Sequence, residues 1–362
     1  MYLHERENWW NFQYDKEKIL NLLGEVITKQ GIMHGRMISL GIDFQDDAML
    51  TTMSLELVRS SEIEGENLDI SEVRSSIARR LGINSEGLVP SSGYVEGVVE
   101  MLLDATQNYQ MSLSDERLFG WHHVLFPTGR SGLYEIEVGK YRTGEMQVLS
   151  GAMGKERVHY QAPKPERLAE EMAVFMRWFN EKTEHDAVIK AAIAHLWFVS
   201  IHPFDDGNER IARAITDMLL ARSENCNRRF YSMSTEIILM QKEYYEVLER
   251  TQRGDGDITE WLLWFLICFE KALASTELTL SSVFGKNKFW ERNKDVQFNE
   301  RQRKIINMLF GDFFGKLTSG KWAKIAKCSN HTALNDLRYL LAKGILVKNV
   351  EGGRSTNYSL AI

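Results

Sequence analysis

Twelve consecutive residues, His202-Pro-Phe-Asp-Asp-Gly-Asn-Glu-Arg-Ile-Ala-Arg213, concentrate groups that could do chemistry. His202 titrates near neutral pH and could take a proton from an attacking hydroxyl. Asp206 is a hard oxygen ligand of the kind Mg²⁺ uses beside phosphate oxygens. Gly207 and Asn208 stand where a helix would begin, and the amides of a helix N-terminus favour anions. Arg210 and Arg213, spaced i and i+3, would occupy neighbouring positions on that helix and could clamp further phosphate oxygens. Singly these are an ordinary loop histidine, an acidic turn and surface arginines. Together they supply a base, a metal ligand and a polyphosphate cradle, enough for in-line attack on a nucleotide phosphorus.

The stretch resembles the signature of the Fic family, H-x-F-x-[DE]-G-N-G-R-x-x-R, at eleven of its twelve positions. The resemblance implies a helical core over roughly residues 100–250 that moves AMP from ATP to a Ser, Thr or Tyr hydroxyl of a target protein. It makes His202 the base, Phe204 the anchor of the loop in the core and Asp206 the Mg²⁺ ligand. Gly207 opens the phosphate-binding turn, Asn208 and Arg210 meet the α- and β-phosphates, and Arg213 meets the γ-phosphate. The departure is Glu209, where the family has a second glycine. A carboxylate there adds like-charge repulsion toward polyphosphate. Three outcomes stay open: the side chain faces solvent and transfer persists, nucleotide affinity falls, or the binding mode changes. Reduced but real transfer is expected, because a helical residue between Asn208 and Arg210 need not face the ligand. The alternative is a regulator that senses nucleotide without turnover.

Upstream, Ser60-Ser-Glu-Ile-Glu64-Gly65 fits the family's inhibitory pattern [ST]-x-x-x-E-[GN]. By that resemblance Glu64 pairs with Arg213 and denies it to the γ-phosphate. The plain alternative is a helix end capped by Gly65 with its glutamates in solvent. Residues 142–163 resemble the family's flap, a hairpin that aligns the target segment by main-chain pairing. Tyr244 and Tyr245 are candidates for the wall against adenine, with core aromatics as the other reading.

These groups need a scaffold, and the rest of the chain reads as mainly α. Only five prolines interrupt 362 residues, and apolar positions mostly follow the helical period. Helices are expected over 16–40 and 47–63. The Gly82–Gly93 stretch reads as a boundary. Short strands are expected at Met146–Leu149 and Val158–Tyr160, and a central helix, apolar almost all round, at Ala191–Ile201. Near the C-terminus, helices at Glu300–Phe310, Trp322–Lys327 and Asn330–Lys343 precede strand candidates Ile345–Asn349 and Thr356–Leu360, the order of a winged helix-turn-helix. Three domains are therefore expected: a helical region with the inhibitory helix (1–92), a catalytic core (93–285) and the winged helix (286–362).

Composition narrows the class further. With 44% hydrophobic and 26% charged residues, the chain is neither disordered nor fibrous. Three dispersed cysteines, Cys226, Cys268 and Cys328, form no disulfide or zinc pattern, which fits a reducing cytoplasm. The polar start argues against a secretory leader. The apolar run Trp261–Phe269 is too short to span a bilayer. Net charge is −6, but residues 300–362 carry 11 Lys+Arg against 4 Asp+Glu, and residues 1–299 carry 33 against 46. The basic tail, with Thr332, Asn335 and Arg338 on its third helix and Arg354 in the wing, points to DNA, with homodimerisation on a paired site.

Overall fold

The computed structural model describes every residue except 84–86, 151–156, 311–312, 314, 350–355 and 362, and only the backbone of Ser150. Helices begin where short polar side chains can accept the first orphan amides. Asp15 accepts from Glu17 and Lys18 at 3.1 and 3.3 Å to open α1 (Lys16–Ile38). α2 (Ile42–Ile63) starts earlier than the apolar spacing indicated, because Asp43, Asp46 and Asp47 suit the positive end of a helix. Asp69 caps α3 (Ile70–Leu81), which ends at Gly82 in the left-handed region, φ +66°. Ser92 caps α4 (Gly93–Gln107) and Ser114 caps α5 (Asp115–Leu125).

Two antiparallel strand pairs follow: β1 (Arg130–Ser131) with β2 (Tyr134–Glu135), which the sequence reading missed, and β3 (Gln147–Ser150) with β4 (Arg157–Gln161). In the second pair Gln147 opposes Gln161 and Val148 opposes Tyr160, with a register shift after Val148. The helices α6 (Leu168–Asn180), α7 (Ala187–Ile201), α8 (Asn208–Glu224), α9 (Met233–Leu239), α10 (Gln241–Gln252) and α11 (Thr259–Thr279) complete this part. α7 is buried along almost its whole length, and α8, whose buried residues include Ile211, Ala212, Ile215 and Met218, packs against it. The mainly helical class expected from the periodicity is the observed one.

The chain divides into two compact units, Met1–Ser39 with Gln45–Glu277, and Leu40–Phe44 with Leu278–Ile362. The second holds α12 (Ser281–Arg292), α13 (Glu300–Leu309), α14 (Ser319–Ile325), α15 (Asn330–Ala342) and the antiparallel pair β5 (Leu346–Lys348) and β6 (Tyr358–Leu360). Its core gathers Ile305, Ile306, Trp322, Leu337 and Leu340. Asp336, buried among them, accepts from Trp322, Arg301 and Asn299, so the polar group inside this small core is satisfied. Among the described residues no helix is long and apolar enough to cross a membrane.

Candidate functional site

The site forms where α7 gives way to α8. Running apolar to its last turn, α7 stops because His202 takes φ +51°, a left-handed conformation that ends a helix. The imidazole is buried, and its Nδ1 lies 3.3 Å from the Val199 carbonyl. A carbonyl only accepts, so this contact assigns the proton to Nδ1 and leaves Nε2 as the lone-pair nitrogen. Burial lowers the His202 pKa to about 4, which keeps the ring neutral at physiological pH.

Phe204 fixes the connecting loop: it is fully buried and stacks on His122 with ring centroids 4.3 Å apart. The Asn208 side chain closes the loop from inside, accepting from Phe204 N at 3.0 Å and donating to Phe204 O at 2.9 Å. The side-chain amide expected to meet phosphate thus braces the loop through one N–H and its oxygen, with the second N–H left over. Gly207 sits at φ +80°, and a Cβ there would lie 2.9 Å from the Phe126 ring, so glycine is required both for conformation and for space.

Asp206, 41% exposed, accepts from the Ser131 hydroxyl and from Gly207 N–H. Arg210 is buried, 3.8 Å from Asp206, with its guanidinium 5.0 Å from the Phe126 ring and bonded to the Tyr94 hydroxyl. Ser131 and Tyr94 both escaped the sequence reading. They stand far away in the chain, and neither a serine in a two-residue strand nor a tyrosine near a helix start carries a motif. One carboxylate held in place by two donors and still open to solvent suits Mg²⁺ arriving with polyphosphate. Among the described residues no group of three or more metal-ligating side chains offers a closed protein cage.

Arg213 is wired to the last turns of α2. Its Nε donates to Ser60 Oγ at 2.7 Å, and its Nη2 donates to Ser60 O at 2.9 Å and to Glu64 Oε1 at 2.8 Å. Only Nη1 makes no hydrogen bond. Burial works against the charge on Arg213, but Glu64, Tyr244 and Glu209 together outweigh it and raise the pKa. Burial also raises the pKa of Glu64, opposed by Arg213 and reinforced by the neighbouring Glu209. Gly65, at φ +78° beyond the end of α2, provides the turn that the capping reading expected, yet Glu64 turns inward rather than to solvent.

Glu209 also departs from expectation. It lines, with Glu64, a cavity of about 1000 Å³ that reaches Tyr245, Leu248, His159 and Val148. Burial is the main cause that raises its pKa. The first turn of α8 points Glu209 along the same side as Arg213, so it is not the solvent-facing residue allowed for above. The two tyrosines part company because adjacent helical positions differ by about 100°. Tyr245 lines the cavity, whereas Tyr244 is wholly buried with its hydroxyl 2.9 Å from His195 Nε2, a core aromatic and not a nucleotide wall.

The β3–β4 hairpin is bolted to α10. Glu249 pairs with Arg157 at 2.8 Å and with His159 at 2.6 Å, and Arg253 donates to the Val158 carbonyl at 2.7 Å. Among the described residues β3 has no partner strand on its other edge. In the second unit, Asn335 and Arg338 are exposed on α15, while Thr332 is half-buried and engaged with Ser329 at its N-cap. Arg354, assigned to the wing, lies outside the described residues.

Residues 112–220 match the Fic/DOC family, and residues 2–83 match a domain of unknown function, DUF4172. The chain is 25% identical over 233 residues to protein adenylyltransferase Fic of Nematostella vectensis, covering 61% of this chain and 49% of that protein. To the protein of the same name in Drosophila yakuba it is 27% identical over 232 residues, covering 60% and 40%. It thus spans about half the length of these curated relatives, or less. In fold it is similar to a crystal structure of a Fic family protein from Desulfovibrio desulfuricans G20, with TM-score 0.57, 20% identity, and 94% and 95% of the two chains covered.

Proposed function

Since residues 112–220 make this chain a Fic-domain protein, we propose that it is a protein adenylyltransferase held in check by Glu64. The observation that carries the reading is the pairing of a neutral buried base, His202, with a helix N-terminus flanked by Arg210 and Arg213. His202 Nε2 takes the proton of a target Ser, Thr or Tyr hydroxyl as that oxygen bonds to the α-phosphorus of ATP. The bond from the α-phosphorus to the bridging oxygen breaks, and pyrophosphate leaves. The first amides of α8 and the two guanidiniums would hold the phosphates in line. Asp206 would hold Mg²⁺ together with phosphate oxygens, and the bound ion supplies positive charge to the polyphosphate. The open edge of β3 supports docking of an extended target segment there.

The brake acts through one arginine. With Nε and Nη2 committed to Ser60 and Glu64, Arg213 offers the γ-phosphate only Nη1. Glu64 and Glu209, together on the cavity wall, further oppose a triphosphate. Incubation of the wild type and Glu64→Gly with Mg²⁺ and ATP labelled at the α- or the γ-phosphate tests this. Protein labelling from the α-position only, stronger in Glu64→Gly, is expected. Labelling from the γ-position would make the reaction a phosphorylation, and no labelling from either would remove the transferase reading.

Glu209 on the cavity wall favours one second reading: a nucleotide-sensing regulator with a weakened Fic core, contacting DNA through residues 300–362. In that case DNA binding and its response to ATP survive His202→Ala.

A further inference from the structure

Arg142 is 2% exposed and makes no salt bridge within 4.0 Å among the described residues, although Asp205 and Glu145 lie near enough to favour its charge. A charged group so placed is costly unless dipoles replace its water. Here three backbone carbonyls do so. Nε donates to His202 O at 2.8 Å, Nη1 to Gly144 O at 2.7 Å and Nη2 to Pro163 O at 2.6 Å, while the backbone N–H of Arg142 donates to Pro203 O at 3.0 Å.

The identity of those four acceptors matters more than their number. Gly144 stands on the leg leading into β3, and Pro163 stands on the leg leaving β4, so the two terminal nitrogens grip both feet of the hairpin. His202 and Pro203 are the residues at which α7 ends, and the His202 carbonyl belongs to the residue whose ring is the base. One planar guanidinium, with donors on three edges in a fixed fork, therefore ties both legs of the hairpin to the histidine backbone. A lysine ammonium, a single point donor on a flexible stem, has no such fixed fork to span three separated carbonyls.

We propose that Arg142 is the positioning residue that sets the β3–β4 hairpin at a fixed distance from His202, so that a hydroxyl carried on the hairpin meets the base. The role rests on the transfer reading above in that His202 is the base, but the tie between hairpin and loop is a property of the fold alone. Arg142 touches neither nucleotide nor reacting atoms. Its loss should lower turnover and spare nucleotide binding, which depends on the start of α8, Arg210 and Arg213.

The test compares Glu64→Gly with Glu64→Gly/Arg142→Lys by amide hydrogen exchange and by self-modification with Mg²⁺ and ATP. Expected are a tenfold or greater acceleration of exchange in β3 and β4 with α7 and α8 unchanged, an ATP KM within twofold, and a kcat for self-modification lowered at least tenfold. Unchanged exchange in the hairpin overturns the proposal. Acceleration as large in α7 and α8 as in the hairpin also overturns it, since Arg142 then merely holds the fold together, and so does a rise in KM with kcat intact. Should Glu64→Gly itself transfer no AMP, the transferase reading fails while the exchange comparison still decides the role of Arg142.

Discussion

Arg213 pairs with Glu64, just past the end of α2, and in the proposed transferase would also have to meet the γ-phosphate. Removing the carboxylate frees one N–H of Nη2, whose other N–H stays on the Ser60 carbonyl, so Glu64→Gly should raise self-labelling by about tenfold or more, the scale of one charge-assisted bond. Equal labelling in mutant and wild type would dismiss the brake. Titration of the same carboxylate gives a signed pH effect. Burial raises the Glu64 pKa and lowers that of His202 to about 4, so as pH falls Glu64 takes up its proton sooner than an ordinary glutamate would, while His202 stays neutral until pH approaches 4. Wild-type transfer should therefore rise as pH falls below neutral and collapse near pH 4, and Glu64→Gln should show the collapse without the rise. A rise of the same size in Glu64→Gln would locate the effect elsewhere. Glu209 makes its own contribution: relief of repulsion in Glu209→Gly should tighten ATP binding by roughly tenfold, about 1.4 kcal/mol, measured by calorimetry. Equal affinities would show the carboxylate to be harmless.

At the scale of elements, the loop between α7 and α8 works because its bends are locked by packing. Gly207 combines φ +80° with a ring 2.9 Å from any Cβ, so Gly207→Ala should lower stability by about 1–3 kcal/mol, read as a drop in Tm. An unchanged Tm would mean that the Phe126 ring yields freely. The element scale also divides what was legible in the chain from what was not. Residues 202–213 declared their chemistry because base, acid and arginines lie within one loop and one helical turn or two, where spacing dictates proximity. The strand candidates Met146–Leu149 and Val158–Tyr160, read where the helical rhythm breaks, fall within a residue of the observed Gln147–Ser150 and Arg157–Gln161. Helical phase was harder: periodicity could not say which of Tyr244 and Tyr245 faced the cavity, nor that Asn208 would spend its amide on Phe204. Ser131, Tyr94 and the threefold grip of Arg142 depend on contacts between distant segments, for which a single sequence carries no signal.

Across the whole molecule, charge is unevenly shared, with a surplus of 13 acidic residues before residue 300 and of 7 basic residues after it. The second unit presents Asn335 and Arg338 on an exposed helix face. If this unit meets duplex DNA, affinity should fall steeply with salt, and Arg338→Ala should weaken binding and flatten the log–log salt slope by about one. A slope near zero would reduce the basic surplus to a solvated surface and leave the regulator reading without its DNA arm.

Every part of this picture converges on whether His202 moves AMP once Arg213 is released. Intact-mass measurement of Glu64→Gly and of Glu64→Gly/His202→Ala, each incubated with Mg²⁺ and ATP, asks that directly. The first should gain the mass of one or more AMP groups and the second none. An unmodified Glu64→Gly protein, or equal modification of both, would contradict it.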